Sequence, residues 1–246
     1  SHTASNIYDV FVFNNVGVPT IVTGPSWSAG TGGNITAGSC ARGTGAGGAA
    51  LTRINGILTN TVQITGRNGA TTYTINANLA TYVGSLFMDG TNGQISNYVS
   101  FGQSRKWGVW NAYNRKQLFI KCGDPTASWT TAPVTWRQSR GDATNFIQIF
   151  SGLAEEQFDL RFTQMATSSV GVSTSDAQIG IGYNSTTVLS GREGQQLFIS
   201  TGNNTLRTTM SAEYNAPPAL GLQKINSLEQ SANGAVNNTY HGTDVF

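Results

Sequence analysis

Ile7-Tyr8-Asp9-Val10-Phe11-Val12-Phe13 is an unbroken β-rich run, and it ends at Asn14-Asn15 just ahead of Gly17. Alternating bulky and β-branched side chains followed by turn-forming residues predict a strand entering a tight turn. The same unit recurs down the chain. Leu51–Ile54 turns at Asn55-Gly56 into Ile57-Leu58, and Val62–Thr65 turns at Asn68-Gly69 into Thr71–Ile75. Tyr82–Met88 is expected to turn through Asp89-Gly90 and Asn92-Gly93 into Ile95–Phe101. Asn-Gly and Asp-Gly tolerate the positive φ angles that two-residue hairpins require.

The second half keeps this rhythm, at Leu118–Lys121, Val134–Arg137, Phe146–Phe150, Gln157–Phe162, Val170–Ser173 and Ile179–Tyr183. Further runs fall at Gln196–Ser200, Leu206–Tyr214, Gly221–Gln230 and Val236–Tyr240. Many short strands separated by turns predict an all-β fold, an antiparallel β-sandwich of jelly-roll type in one or two packed units. Residues 1–132 and 133–246 form the expected halves, or one continuous domain. Pro217-Pro218 suits an edge or a crossing between sheets. Trp107, Trp110 and Tyr113 recur at spacing three, which predicts one short helical turn between Arg105 and Asn114 with the aromatics on one face.

Composition agrees with a β protein. Only 11% of the 246 residues are charged, less than half the usual share, whereas 38% are hydrophobic and Gly reaches 30. Helical surfaces need Glu, Lys and Arg, so a helix-rich protein is excluded, and the hydrophobic content excludes a disordered one. The exposed faces are therefore expected to be neutral Thr, Ser, Asn and Gln. Gly-rich Ser28–Ala50 has little to bury and reads as a long exposed loop.

A net charge of +2 is too mild for an electrostatically driven nucleic-acid partner. The basic residues from Arg105 to Lys121 read as solvated neighbours of core aromatics. No apolar run approaches the roughly 18 residues needed to cross a bilayer, so no membrane insertion is expected. Cys40 and Cys122 fit no metal or redox spacing, and a disulfide between them is allowed but not required.

Chemistry is sparse. His2 and His241 are the only histidines, too few for a His-based triad or a His-rich metal site. No nucleophile elbow, phosphate loop or dinucleotide pattern occurs, so no cofactor is expected. Gly180-Ile181-Gly182 reads as a place of close backbone approach. Glycoside hydrolysis needs only two carboxyls, and Glu155, Glu156 and Asp159 form the one acidic cluster. Alternation places Asp159 and Arg161 on the face opposite Phe158, Leu160 and Phe162, an ordinary half-buried strand. Arg140-Gly141-Asp142 spells an adhesion tripeptide and equally an ordinary turn. Four glycosylation-type sequons begin at Asn34, Asn184, Asn203 and Asn237, about the number chance supplies in so Asn- and Thr-rich a chain.

Several of these segments resemble a recurrent tailed-bacteriophage virion protein of the tail-fibre or head-fibre (spike) associated type. The likeness runs through Tyr8–Asn15, Gly24-Pro25-Ser26-Trp27, Ala41-Arg42-Gly43-Thr44, Leu51–Gly56 and Tyr82-Val83-Gly84-Ser85. It continues through Trp110–Arg115, Val134-Thr135-Trp136-Arg137, Ile179–Gly182 and Pro218-Ala219-Leu220-Gly221, covering nearly the whole chain in order. Ser28–Ala50 is longer than the family implies. The resemblance implies a non-enzymatic structural part on the outside of the particle, and it supplies no catalytic residues. It also implies a homotrimer whose partners are its own copies, other virion proteins and a host-surface glycan or protein. Loops would make the contact, with Asn34 in the Gly-rich loop and Arg140, Gly141 and Asp142 as the expected positions. The alternatives are a decoration protein without receptor role and a glycan-binding or glycan-degrading spike domain.

Overall fold

The first hairpin forms, with its turn shifted along the chain. β1 (Ile7–Asn15) reverses through Val16-Gly17 into β2 (Val18–Ser26), so Asn14 and Asn15 are the last strand residues. Val16 and Gly17 take positive φ of 51° and 88°, as a two-residue hairpin loop demands. Asn14 fixes the turn from the strand, its side-chain oxygen accepting the Gly17 N–H at 2.7 Å. The structure, a computed structural model, describes residues 2–29, 40–43, 48, 50–168, 175–198, 206–231 and 237–242.

Ser28–Ala29 (β3) pairs with Cys40–Ala41 (β4), so the glycine-rich stretch is not wholly an exposed loop. Then come β5 (Leu51–Ile54), β6 (Ile57–Asn60), β7 (Ile64–Asn68), β8 (Thr71–Ile75), β9 (Ala80–Phe87), β10 (Asn97–Tyr98), β11 (Arg105–Trp107) and β12 (Val109–Asn111). The first sheet runs β5-β6-β9-β1-β2-β7-β8, with β12 added to β9. Asn55-Gly56 makes the predicted β5–β6 turn with φ of 50° and 84°. The expected hairpin of Tyr82–Met88 with Ile95–Phe101 does not form. β9 is a central strand whose edges are taken by β1 on one side and by β6 and β12 on the other, which leaves β10 to pair with β11.

The predicted helical turn is also absent. Arg105–Trp107 and Val109–Asn111 are strands, bonded to β15 and β9 respectively. One isolated helical turn has almost no stability of its own, and two sheet edges offered those backbone groups partners. Of the three aromatics only Trp110 is buried, and Tyr113 is 61% exposed.

β13 (Ser128–Thr131), β14 (Arg137–Gln138), β15 (Phe146–Ser151), β16 (Phe158–Ser168), β17 (Ser175–Tyr183), β18 (Ser190–Phe198), β19 (Leu206–Ala216), β20 (Gly221–Gln230) and β21 (Asn238–His241) complete the chain. With β10 and β11 they form a second sheet, ordered β10-β11-β15-β20-β17-β18-β19-β16-β21-β13, with β14 on β20. It folds over on itself, so that β17 packs against β16, β19 and β21. Pro217-Pro218 lies where the chain crosses from β19 to β20, between the two layers. Leu118–Lys121, predicted as a strand, joins no ladder among the described residues, and its Lys121 N–H donates to the Val99 carbonyl at 3.3 Å. Val170–Ser173 lies outside the described residues. The result is an all-β sandwich rich in antiparallel pairing.

The first core joins Ile7, Phe11, Tyr82 and Trp110 to Phe150 and Leu222 from the second sheet. β13 belongs to that second sheet although it precedes residue 133. Backbones come very close at several glycines, Gly182 and Gly84 among them. A Cβ on Gly182 would strike the Ser185 carbonyl oxygen, whereas one on Gly180 would meet the Leu189 and Trp136 side chains. A Cβ on Gly84 would strike the Trp110 carbonyl oxygen at the β9–β12 pairing. Gly84→Ala is therefore expected to cost about 1–3 kcal/mol, read by urea denaturation, because the obstacle is backbone and cannot turn aside.

Candidate functional site

The tripeptide Arg140-Gly141-Asp142 sits on a 3-10 turn, Ser139–Gly141, with Arg140 at a φ of 61°. Its charged side chains are tied into the fold. Arg140 Nε donates to Asp124 Oδ2 at 2.7 Å, and its Nη2 pairs with Asp142. Asp142 Oδ1 accepts the Thr144 N–H at 2.8 Å and the Thr144 hydroxyl at 2.7 Å, while Gln103 donates to Oδ2 at 3.0 Å. An adhesion tripeptide offers its guanidinium and carboxylate to a partner; here they are bonded to each other and to neighbours, and only Gly141 of the three is exposed. Asn34 lies outside the described residues.

Asp124 anchors this turn. Burial works upward on its carboxyl, but hydrogen bonds from Asn145, the Thr126 backbone and Arg140 together outweigh it and hold it below its ordinary 3.8. The folded state thus binds that proton less readily than the unfolded chain. Its stabilisation is present above the ordinary value and is lost as pH falls through the folded one. Asp124→Asn is expected to cost about 1.5–3 kcal/mol near neutrality. The gap in melting temperature to the parent should close as pH drops below 3.8, whereas a gap independent of pH would contradict the assignment.

Beside the turn lies a cavity of about 590 Å³ between the layers of the second sheet. Ile147, Ile181 and Ile225 line one side and Leu160 and Phe162 the other, with Asp124, Ser139 and Asn145 at the turn end. Phe101 and Ile120 border it from segments without sheet pairing. Ser139 and Gln164 also line it and are 3% and 6% exposed. Ser139 Oγ and Gln164 Oε1 have no hydrogen-bond partner among the described residues. Asp159 and Arg161 line the cavity from the exposed face of β16, so alternation along that strand is as predicted.

Of the acidic cluster, Glu155 and Glu156 share Arg115, while Asp159 borders the cavity. Glu155 pairs with Arg53 at 2.6 Å and Arg115 at 2.8 Å, and Glu156 pairs with Arg115 at 3.1 Å. Arg115 and Arg53 hold the Glu155 carboxyl below its ordinary value, the opposite of what a general acid requires. Burial does push two other carboxyls up, Asp9 and Glu229, and both side chains are fully enclosed. Asp9 is bonded to Arg42 and Ser85, and Glu229 to Arg137 and to the Trp129 indole N–H at 2.8 Å. Cys40 and Cys122 form no disulfide with each other. Among the described residues no group of three or more His, Cys, Asp or Glu is placed to hold a metal ion.

Sequence reasoning missed the cavity and both buried acid networks. The one available signal was Asp9, whose position in the alternation puts it on the same face as Ile7 and Phe11. No family model matches the chain, and no curated protein or solved structure matches it either.

Proposed function

We propose that this chain is a surface part of a tailed-phage virion, a fibre or spike component that works by contact and without catalysis. It assembles as a homotrimer and presents its loops to the host surface. One observation carries the assembly reading. Large apolar side chains stand in solvent at one end of the first sheet: Val16 at 98%, Val18 at 61% and Leu79 at 62% exposure, with Ile21 at 58% nearby. The β1–β2 and β1–β9 registers bring these residues to that one end. Such a patch is costly to leave in water and suits burial against a copy. Weak contacts repeated by symmetry then add up, so no single tight site is needed. The sequence resemblance supports the virion setting, and Glu155, held ionised between two arginines, favours contact over hydrolysis.

Light scattering at micromolar concentration is expected to give three times the 26.0 kDa chain mass. Val16→Asp with Leu79→Asp should shift the protein to a folded monomer, lowering its melting temperature only by the share that association contributed. A monomeric parent would defeat the assembly claim. The recombinant trimer should also compete with the phage for adsorption to host cells, and failure to compete would leave a decoration part without receptor role.

A further inference from the structure

The 590 Å³ space between Ile147, Ile181, Leu160 and Phe162 is a half-open cleft in the size range of small-molecule sites. Two features say what would fill it. The wall mixes polar groups with a larger apolar surface from residues such as Ile147, Leu160, Phe162 and Ile181, which favours a mainly apolar body. The unpartnered Gln164 Oε1 and Ser139 Oγ call for hydrogen bonding from inside the cavity, and the amide oxygen can only accept. Asp159 and Arg161 also border the space, but both stand on the exposed face of β16, where water keeps their charges solvated. The Asp124 carboxylate at the turn end is already satisfied by Arg140 and Asn145, so it offers no open partner to a cation.

We propose that this cavity binds one uncharged, mainly apolar ring compound carrying an N–H or O–H donor, which bonds to Gln164. The body lies between the facing β-layers, beside the segments around Phe101 and Ile120, which have no ladder to break. This site is separate from the exposed end of the first sheet, so it stands whether or not the chain forms a trimer.

N-phenyl-1-naphthylamine, neutral and with a single N–H, is the probe. Its fluorescence should rise on titration and saturate at one probe per chain with micromolar affinity. Leu160→Trp, which fills the space, should lower the affinity at least tenfold while the melting temperature holds. Gln164→Leu keeps the volume and removes the acceptor. It should weaken the amine about three- to tenfold and leave 1-phenylnaphthalene, which lacks the N–H, unchanged. If Leu160→Trp does not fold, the Gln164→Leu comparison decides. The proposal is overturned by non-saturating binding, by a folded Leu160→Trp that binds as the parent does, or by Gln164→Leu weakening both probes equally.

Discussion

Arg42→Met is expected to destabilise the protein by about 3–5 kcal/mol, measured by urea denaturation. Asp9 is fully buried on the core face of β1, and Arg42 grips it with Nε to Oδ2 at 2.7 Å and Nη2 to Oδ1 at 3.2 Å. Ser85 donates to the same carboxylate at 2.6 Å, and Arg42 also reaches the Tyr82 hydroxyl and the Gly152 carbonyl. The guanidinium lies 4.3 Å from the Trp27 ring centre, so it stitches the residue after β4 to both sheets. Methionine keeps much of the arginine's bulk and removes its charge, which strands a carboxyl in the core. Asp9→Leu with Arg42→Met removes both charges and should recover most of the loss, since a buried pair costs desolvation on each side. A double variant no better than the single would show that Arg42 acts by packing alone.

Trp110→Ala should cost about 3–5 kcal/mol by the same measurement. Trp110 is 7% exposed, stacks on Tyr82 at 6.1 Å with planes 27° apart, and has the Arg115 guanidinium 4.5 Å from its ring. It closes one end of the first core, where Gly152 approaches its ring too closely for any side chain. A Trp110→Ala protein that melts like the parent yet no longer binds host cells would move this residue from scaffold to recognition.

The class of the fold was legible because alternation and turn chemistry are local. Asn55-Gly56 does in the structure what those residues do anywhere. Failures came where a remote partner decides. Trp107, Trp110 and Tyr113 match a helical spacing, but β15 and β9 claim the backbones around Trp107 and Trp110 for sheet, and the Tyr113 N–H goes to the Asn111 side chain. Tyr82–Met88 was assigned the next run in sequence, whereas its edges were filled by β1, β6 and β12. Arg42 looked like part of an exposed glycine-rich loop, yet a carboxylate 33 positions earlier draws it into the core. The cavity left no trace in the pattern, because it arises from how far apart two layers stand. The tripeptide at Arg140 was legible as a turn, but not as one whose charges Asp124 and Gln103 had already engaged.

The virion assignment is tested most directly on the particle itself. Gold-labelled antibody raised against the recombinant chain, applied to intact phage grown from the genome that encodes it, is to be imaged by electron microscopy. Label at a fixed, repeated position on the particle exterior is the expected result. Particles that carry no label, with the chain found only in the surrounding lysate, would contradict the account.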